Sequence, residues 1–130
     1  MTSLILRKAA LPLLLLCSVP MLADVTGRWT AGGASVFVLR QSGDTLTGEI
    51  QGRPGEPTYK IVDGTIRGNR IFFFVLHDGE NDPEVKANGG LPFHNTAEGT
   101  FTDDEITVTG SRENTKIREY RLVLKRIKTK

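Results

Sequence analysis

Beyond residue 23 the chain contains no cysteine: Cys17 is the only one, and both methionines, Met1 and Met21, also lie within the first 23 residues. From Asp24 onward a disulfide framework, a thiolate nucleophile and a cysteine-ligated zinc or iron–sulfur centre are therefore excluded. Small exported domains often rely on disulfide staples. A domain without them is held by its core, which argues against a loop-rich architecture. Apart from the pairs Gly32-Gly33 and Gly89-Gly90, glycines are spread singly at strand and turn positions rather than gathered into a phosphate cradle. Ser35, Ser42 and Ser111 stand outside any nucleophile-elbow pattern. Also lacking is a stretch with a 3.6-residue apolar period, so no long helix is expected. These absences leave no recognisable catalytic constellation and imply no cofactor.

What stands at the N-terminus reads as a secretory signal peptide over residues 1–23. Arg7 and Lys8 precede an apolar run, Ala9–Leu16, interrupted by Pro12 and followed by Ser18, Pro20 and the small residue Ala23. A charged start, a short apolar middle and a small exit residue fit export with cleavage after Ala23, and the run is too short to cross a bilayer as a helix. Lipidation of Cys17 would want a small residue before it, where the chain has Leu16. The expected mature protein is a secreted or periplasmic monomer, a single domain over residues 24–130.

Loss of Arg7 and Lys8 takes Lys+Arg from 17 to 15, equal to the 15 acids, so the formal charge falls from +2 to zero. That neutrality is uneven. Between residues 116 and 130, Lys116, Arg118, Arg121, Lys125, Arg126, Lys128 and Lys130 are opposed only by Glu119. Aromatics are not interleaved with this run as they are in a nucleic-acid platform. It reads as one strand pairing with the acidic remainder of the domain, and no nucleic-acid partner is expected.

The rest of the chain alternates apolar and polar residues between turn signals, the mark of half-buried strands. Val25, Gly27 and Trp29 share one parity, as do Phe37 and Leu39, then Leu46, Gly48 and Ile50. Tyr59 and Ile61 restart the pattern after a Pro/Gly loop, and Gly64 and Ile66 continue it. Ile71–Leu76 is continuously apolar, which predicts a strand covered on both faces. Residues 77–92 read as the longest loop. Strands resume at Thr96–Thr102 and Ile106–Gly110, and the last, over 117–127, carries Tyr120, Leu122, Leu124 and Arg126 on one face. Gly64–Ile71 and Gly99–Ile106 echo each other as strand, polar turn and strand, that is, as hairpins. Eight or nine such strands predict an all-β, antiparallel up-and-down meander, which removes its edges by closing into a barrel of about eight strands. Glycines at apolar parity leave two interiors open: one filled by Trp29, Phe73 and Phe101, or one with room for a ligand.

Gly27-Arg28-Trp29 at the start of the first strand resembles the Gly-X-Trp signature of lipocalin and avidin barrels. Phe37–Gly48 is similar to a strand pattern of small secreted bacterial β domains. The chain is shorter than a typical lipocalin and shows neither its disulfides nor its C-terminal helix. The resemblance implies that Trp29 closes one end of the barrel, with Gly27 beside it and Arg126 packed across the indole. It further implies a small apolar ligand, with Trp29, Phe73, Phe101 and Tyr120 in or near the cavity. The other class of function open to the sequence is a protein-interaction or inhibitor domain of the cell envelope, presenting residues 78–95 to an exported partner.

His77 and His94 flank that loop, with Asp78, Glu80, Asp82 and Glu84 between them. A calcium loop opening at Asp78 would need glycine at its sixth position and glutamate at its twelfth, where the chain has Pro83 and Gly89. The acids read as a solvated loop and no metal site is expected. A His77–carboxylate pair with Glu98 or Glu119 at a barrel mouth is the one acid–base arrangement the pattern allows. N-terminal sequencing of the exported protein should begin at Asp24, and dithiothreitol should leave its Tm unchanged. A start at Met1, or a fall in Tm on reduction, would contradict the leader.

Overall fold

The computed structural model describes residues 24–112 and 120–128. The expected leader with Cys17, the expected beginning of the last strand at Ile117, and Glu119 lie outside the described residues. The strands are β1 (Gly27–Thr30), β2 (Val36–Ser42), β3 (Thr45–Gln51), β4 (Tyr59–Arg67), β5 (Arg70–His77), β6 (Phe93–Phe101), β7 (Glu105–Arg112) and β8 (Tyr120–Arg126). They follow one another in chain order around a closed antiparallel barrel, each paired with its neighbours and β8 with β1. The expected meander is therefore an eight-stranded barrel. Among the described residues, no helix is long and apolar enough to cross a membrane. A five-residue helix, α1 (Pro83–Ala87), stands inside the stretch expected to be loop throughout.

Alternation builds the interior. Leu46, Ile61, Ile71, Phe73, Ile106, Val108 and Leu124 are all buried, while Thr45 and Thr47 on β3 and Lys60 on β4 face outward and are exposed. The parity switch within β4, from Ile61 to Gly64, is a bulge between Val62 and Thr65, where Asp63 takes a left-handed φ of 51°. An extra residue in one strand returns the apolar set to the inner face.

The expectation for Ile71–Leu76 needs correction. Ile71, Phe73 and Val75 are buried inward, but Phe72, Phe74 and Leu76 are half-buried on the outer face. The Phe72 and Phe74 rings meet edge-on at 5.0 Å, and Phe74 meets His94 likewise at 4.9 Å. These side chains shelter one another along the sheet surface, so a continuous apolar strand here needs no second layer.

The two ends of the barrel differ. Tight turns at 43–44, 68–69 and 102–104 join β2–β3, β4–β5 and β6–β7 at one end; the latter two are the echoed hairpins. Long connections (31–35, 52–58, 78–92) lie at the other. The end with tight turns is packed by Val25, Trp29, Leu39, Leu46, Ile66, Ile71, Phe101, Ile106 and Leu124 in one cluster.

Closure at this packed end rests on Trp29 and Arg126, which are direct partners in the β1–β8 register. The indole is wholly buried and donates from Nε1 to the Val25 carbonyl at 2.9 Å. The Arg126 guanidinium lies 4.4 Å from the centre of the indole ring. It donates to the carbonyls of Asp103 (2.8 Å), Thr26 (2.9 Å) and Asp24 (2.9 Å). Gly27, at φ 144°, makes room for it, because a β-carbon there would come within 2.9 Å of a guanidinium nitrogen. Lys125 pairs with Glu105, and Lys128 lies 3.3 Å from Asp104. The basic last strand thus meets acids of its own domain.

Trp29→Ala should cost about 3–5 kcal/mol, a large share of the roughly 5–15 kcal/mol of a domain this size. Arg126→Ala should cost about 2–3 kcal/mol through its lost carbonyl bonds and cation–π contact. Denaturant unfolding of both single variants and the double variant should give a combined loss clearly smaller than the sum. Full additivity would show that the two side chains do not act as one unit.

Candidate functional site

At the end opposite Trp29 the interior is hollow. A cavity of about 450 Å³ is lined by Phe37, Ile50, Phe73, Val75, Ala97, Val108 and Leu122 from the strands, and by Ala31, Gly33 and Ser35 from the β1–β2 connection. Tyr59, His77, Asn95 and Tyr120 complete its wall. The volume falls within the range of roughly 300–1,000 Å³ usual for small-molecule sites, and the wall has their usual composition, apolar with a few polar groups. Ser35, Ile50 and Tyr59 also line a more polar groove of about 460 Å³ that reaches Gly52, Glu56, Asn81, Pro83 and Glu84. This groove adjoins the cavity, with walls from the β3–β4 loop and the start of α1.

Tight backbone contact shapes the β7–β8 side. The Tyr120 ring lies directly over Gly110, where any β-carbon would overlap it. The glycine at apolar parity in β7 is thus explained by the aromatic side chain on the adjacent strand.

The polar part of the wall is a continuous buried network. His77 and Asp82 are 3% and 1% exposed, and His77 Nδ1 lies 3.0 Å from Asp82 Oδ2. The other carboxylate oxygen of Asp82 accepts from the Tyr59 hydroxyl at 3.3 Å and from the Glu84 amide at 2.9 Å. The second of these bonds caps α1, which begins with Pro83 at a position where the missing amide hydrogen costs nothing. Arg112 Nε can only donate, so the Asn95 atom 3.3 Å away is the amide oxygen. That orientation turns the Asn95 NH2 toward His77 Nε2, 3.3 Å distant. Nε2 then accepts, and the imidazole carries its proton on Nδ1, directed at Asp82. Arg112 also pairs with Glu84 and stacks 4.8 Å over Phe93, whose ring lies parallel to His77 at 4.6 Å. Together these contacts fasten the 78–92 segment to β4, β5, β6 and β7.

Of the residues singled out in the sequence, Phe73 and Tyr120 line the cavity. Trp29 and Phe101 lie in the packed half with Val25 and Leu124, and Gly27 and Arg126 stand beside Trp29. Inward parity is common to all these aromatics, but strand register separates them along the barrel axis. The acidic stretch is not uniformly solvated: Asp78 and Glu80 are exposed whereas Asp82 is buried. His77 faces inward and His94 outward, since they fall on opposite parities of adjacent strands. The carboxylate beside His77 is Asp82; Glu98 is exposed on the outer face. Sequence reading passed over Tyr59, Asn95 and Arg112 as site residues. A signal for Asp82 was present in Asp82-Pro83, a capping residue followed by proline at the first helical position.

Comparison with family models, with curated proteins and with solved structures gives no match for this chain.

Burial and the neighbouring Asp82 carboxylate push the Tyr59 phenol above its ordinary value, and burial does the same for Tyr120. Both protonated phenols are favoured by folding. Their contribution to stability is therefore present below the unfolded value of about pH 10 and is lost as pH rises through the raised values. These are the only two tyrosines. The phenolate absorbance step at 295 nm should lie above pH 10 in the folded protein and fall to about 10 in denaturant. Coincident titrations in the two states would contradict the buried setting.

Proposed function

We propose that this protein is an exported, lipocalin-like barrel that binds a small apolar ligand in the open half of its interior. The observation that carries the reading is the hollow of about 450 Å³ opposite an end packed around Trp29. Apolar surface left uncovered inside a barrel gains by excluding water when an apolar molecule fills it. The Gly27–Trp29 motif and the Arg126 contact support the lipocalin-like description, and the leader at 1–23 supports a secreted or periplasmic location.

A neutral apolar dye such as N-phenyl-1-naphthylamine should bind with one-to-one stoichiometry and gain fluorescence. Ala97→Leu, which adds bulk to the cavity wall away from Trp29, should weaken the dye at least about tenfold with little change in Tm. Equal binding by this variant would place the dye elsewhere. The second reading, a contact surface for an exported protein partner, draws on Leu91, which is 65% exposed in the 78–95 segment. Under that reading Leu91→Ser abolishes capture of a single partner and leaves dye binding intact.

A further inference from the structure

At the buried corner of the cavity, Tyr59 and His77 have their hydrogens committed within the wall, while the Ser35 and Tyr120 hydroxyls line it from the β1–β2 connection and β8. Tyr59 has one hydroxyl proton, and it goes to Asp82 Oδ1 at 3.3 Å. His77 in its Nδ1–H form has one proton too, and it goes to Asp82 Oδ2 at 3.0 Å. Its remaining nitrogen accepts from Asn95. Asn95 is fixed in that orientation by Arg112, and Arg112 is itself occupied by Glu84 and the Phe93 ring. What the Tyr59 oxygen has left is lone-pair capacity, and an acceptor seeks a donor. Among the described residues, the charged side chains lining the cavity and its outer groove are Glu56 and Glu84, with no lysine or arginine. Burial and Asp82 both hold the Tyr59 phenol in its neutral form, so its proton stays on the phenol oxygen, directed at Asp82.

We propose that the cavity selects an uncharged molecule whose polar end is a hydroxyl group donating to the Tyr59 oxygen, and that it rejects the matching carboxylate. The inference rests on the ligand-binding reading above and adds the chemical class of the ligand. An ionised carboxylate offers acceptors only. Set against Tyr59 it would meet another acceptor, with the buried Asp82 carboxylate close behind and, among the described residues, the Arg112 guanidinium already engaged. Removing such a charge from water without a partner is costly. A hydroxyl makes the missing bond and brings no charge. Asp82 acts here from behind the wall as a positioning residue, by accepting the hydrogen bonds that Tyr59 and His77 would otherwise offer to a ligand.

The test compares 1-decanol, decyl methyl ether and decanoate as competitors of N-phenyl-1-naphthylamine at pH 8, where decanoate is ionised. Decanol should bind at least about tenfold more tightly than either of the others, the size of effect expected for one hydrogen bond matched or left unmade at a buried site. Decanoate should gain affinity as pH is lowered and its neutral form appears. Tyr59→Phe should bring the decanol-to-ether ratio near one while leaving the affinity of the ether unchanged, a split that a merely structural role for Tyr59 would not produce. Decanoate binding at pH 8 as tightly as decanol, or a decanol-to-ether ratio unaffected by Tyr59→Phe, would overturn the hydroxyl preference and leave the apolar cavity standing. Failure of the dye and all three competitors to bind would overturn the cavity reading, and this inference with it. The wild-type comparison decides the matter even if the variant does not fold.

Discussion

The barrel depends on a short seam. β1 contributes four residues, and its pairing with β8 is confined to Trp29 with Arg126 and Thr30 with Lys125. A main-chain bond from Ile127 to Arg28 (2.7 Å) extends it slightly. So brief a ladder is a weak closure by itself, and the Arg126 side chain makes up the difference. One guanidinium ties together the turn before β7, the segment before β1 and the face of the indole. Those carbonyls are main-chain acceptors at the exposed rim of the packed end, where one fork joins residues 24–26 to the turn at Asp103. A lysine would supply the charge without the planar fork that reaches three acceptors at once.

With one end shut in this way, the interior divides in two. Tight turns draw the strands together over Trp29, and longer connections let them part over Tyr59, Phe73 and Tyr120. The mouth is still not loose. Asp82 serves at once as the cap of α1, the acceptor for Tyr59 and the partner of His77. A single buried carboxylate with this many bonds is well compensated for its burial. Its position fixes the 78–92 segment against the barrel wall, so the hollow keeps a defined shape at its polar end.

The strands were legible because each one buries a single face. Alternation at Leu46–Ile50, the hairpin turns at Gly43 and Gly68, and the shared parity of Trp29 and Arg126 all survive translation into three dimensions. The parity break at Asp63 was not visible: Gly64 and Ile66 read as a continuation of Tyr59 and Ile61, and only the bulge accounts for the shift. The site was less legible. Periodicity says that Trp29, Phe73, Phe101 and Tyr120 point inward but not at what depth, because depth depends on stagger between strands. The polar network escaped for another reason: its members lie 5, 17, 18 and 23 residues apart in sequence. An aspartate among exposed acids looks like its neighbours until a tyrosine from β4 and a histidine from β5 are seen to converge on it.

The seam also sets an order of events. Its guanidinium bond to Asp24 joins residues 102 positions apart, the longest separation among these hydrogen bonds. The hairpins β2–β3, β4–β5 and β6–β7 can form from near neighbours, but β1 has no second partner until β8 exists. Contacts between distant positions form late, because chain entropy opposes them until the intervening structure has brought their ends together. A chain still leaving the ribosome therefore carries an unfinished sheet with two open edges up to the moment Arg126 emerges. Completion of the fold is tied to arrival of its last strand.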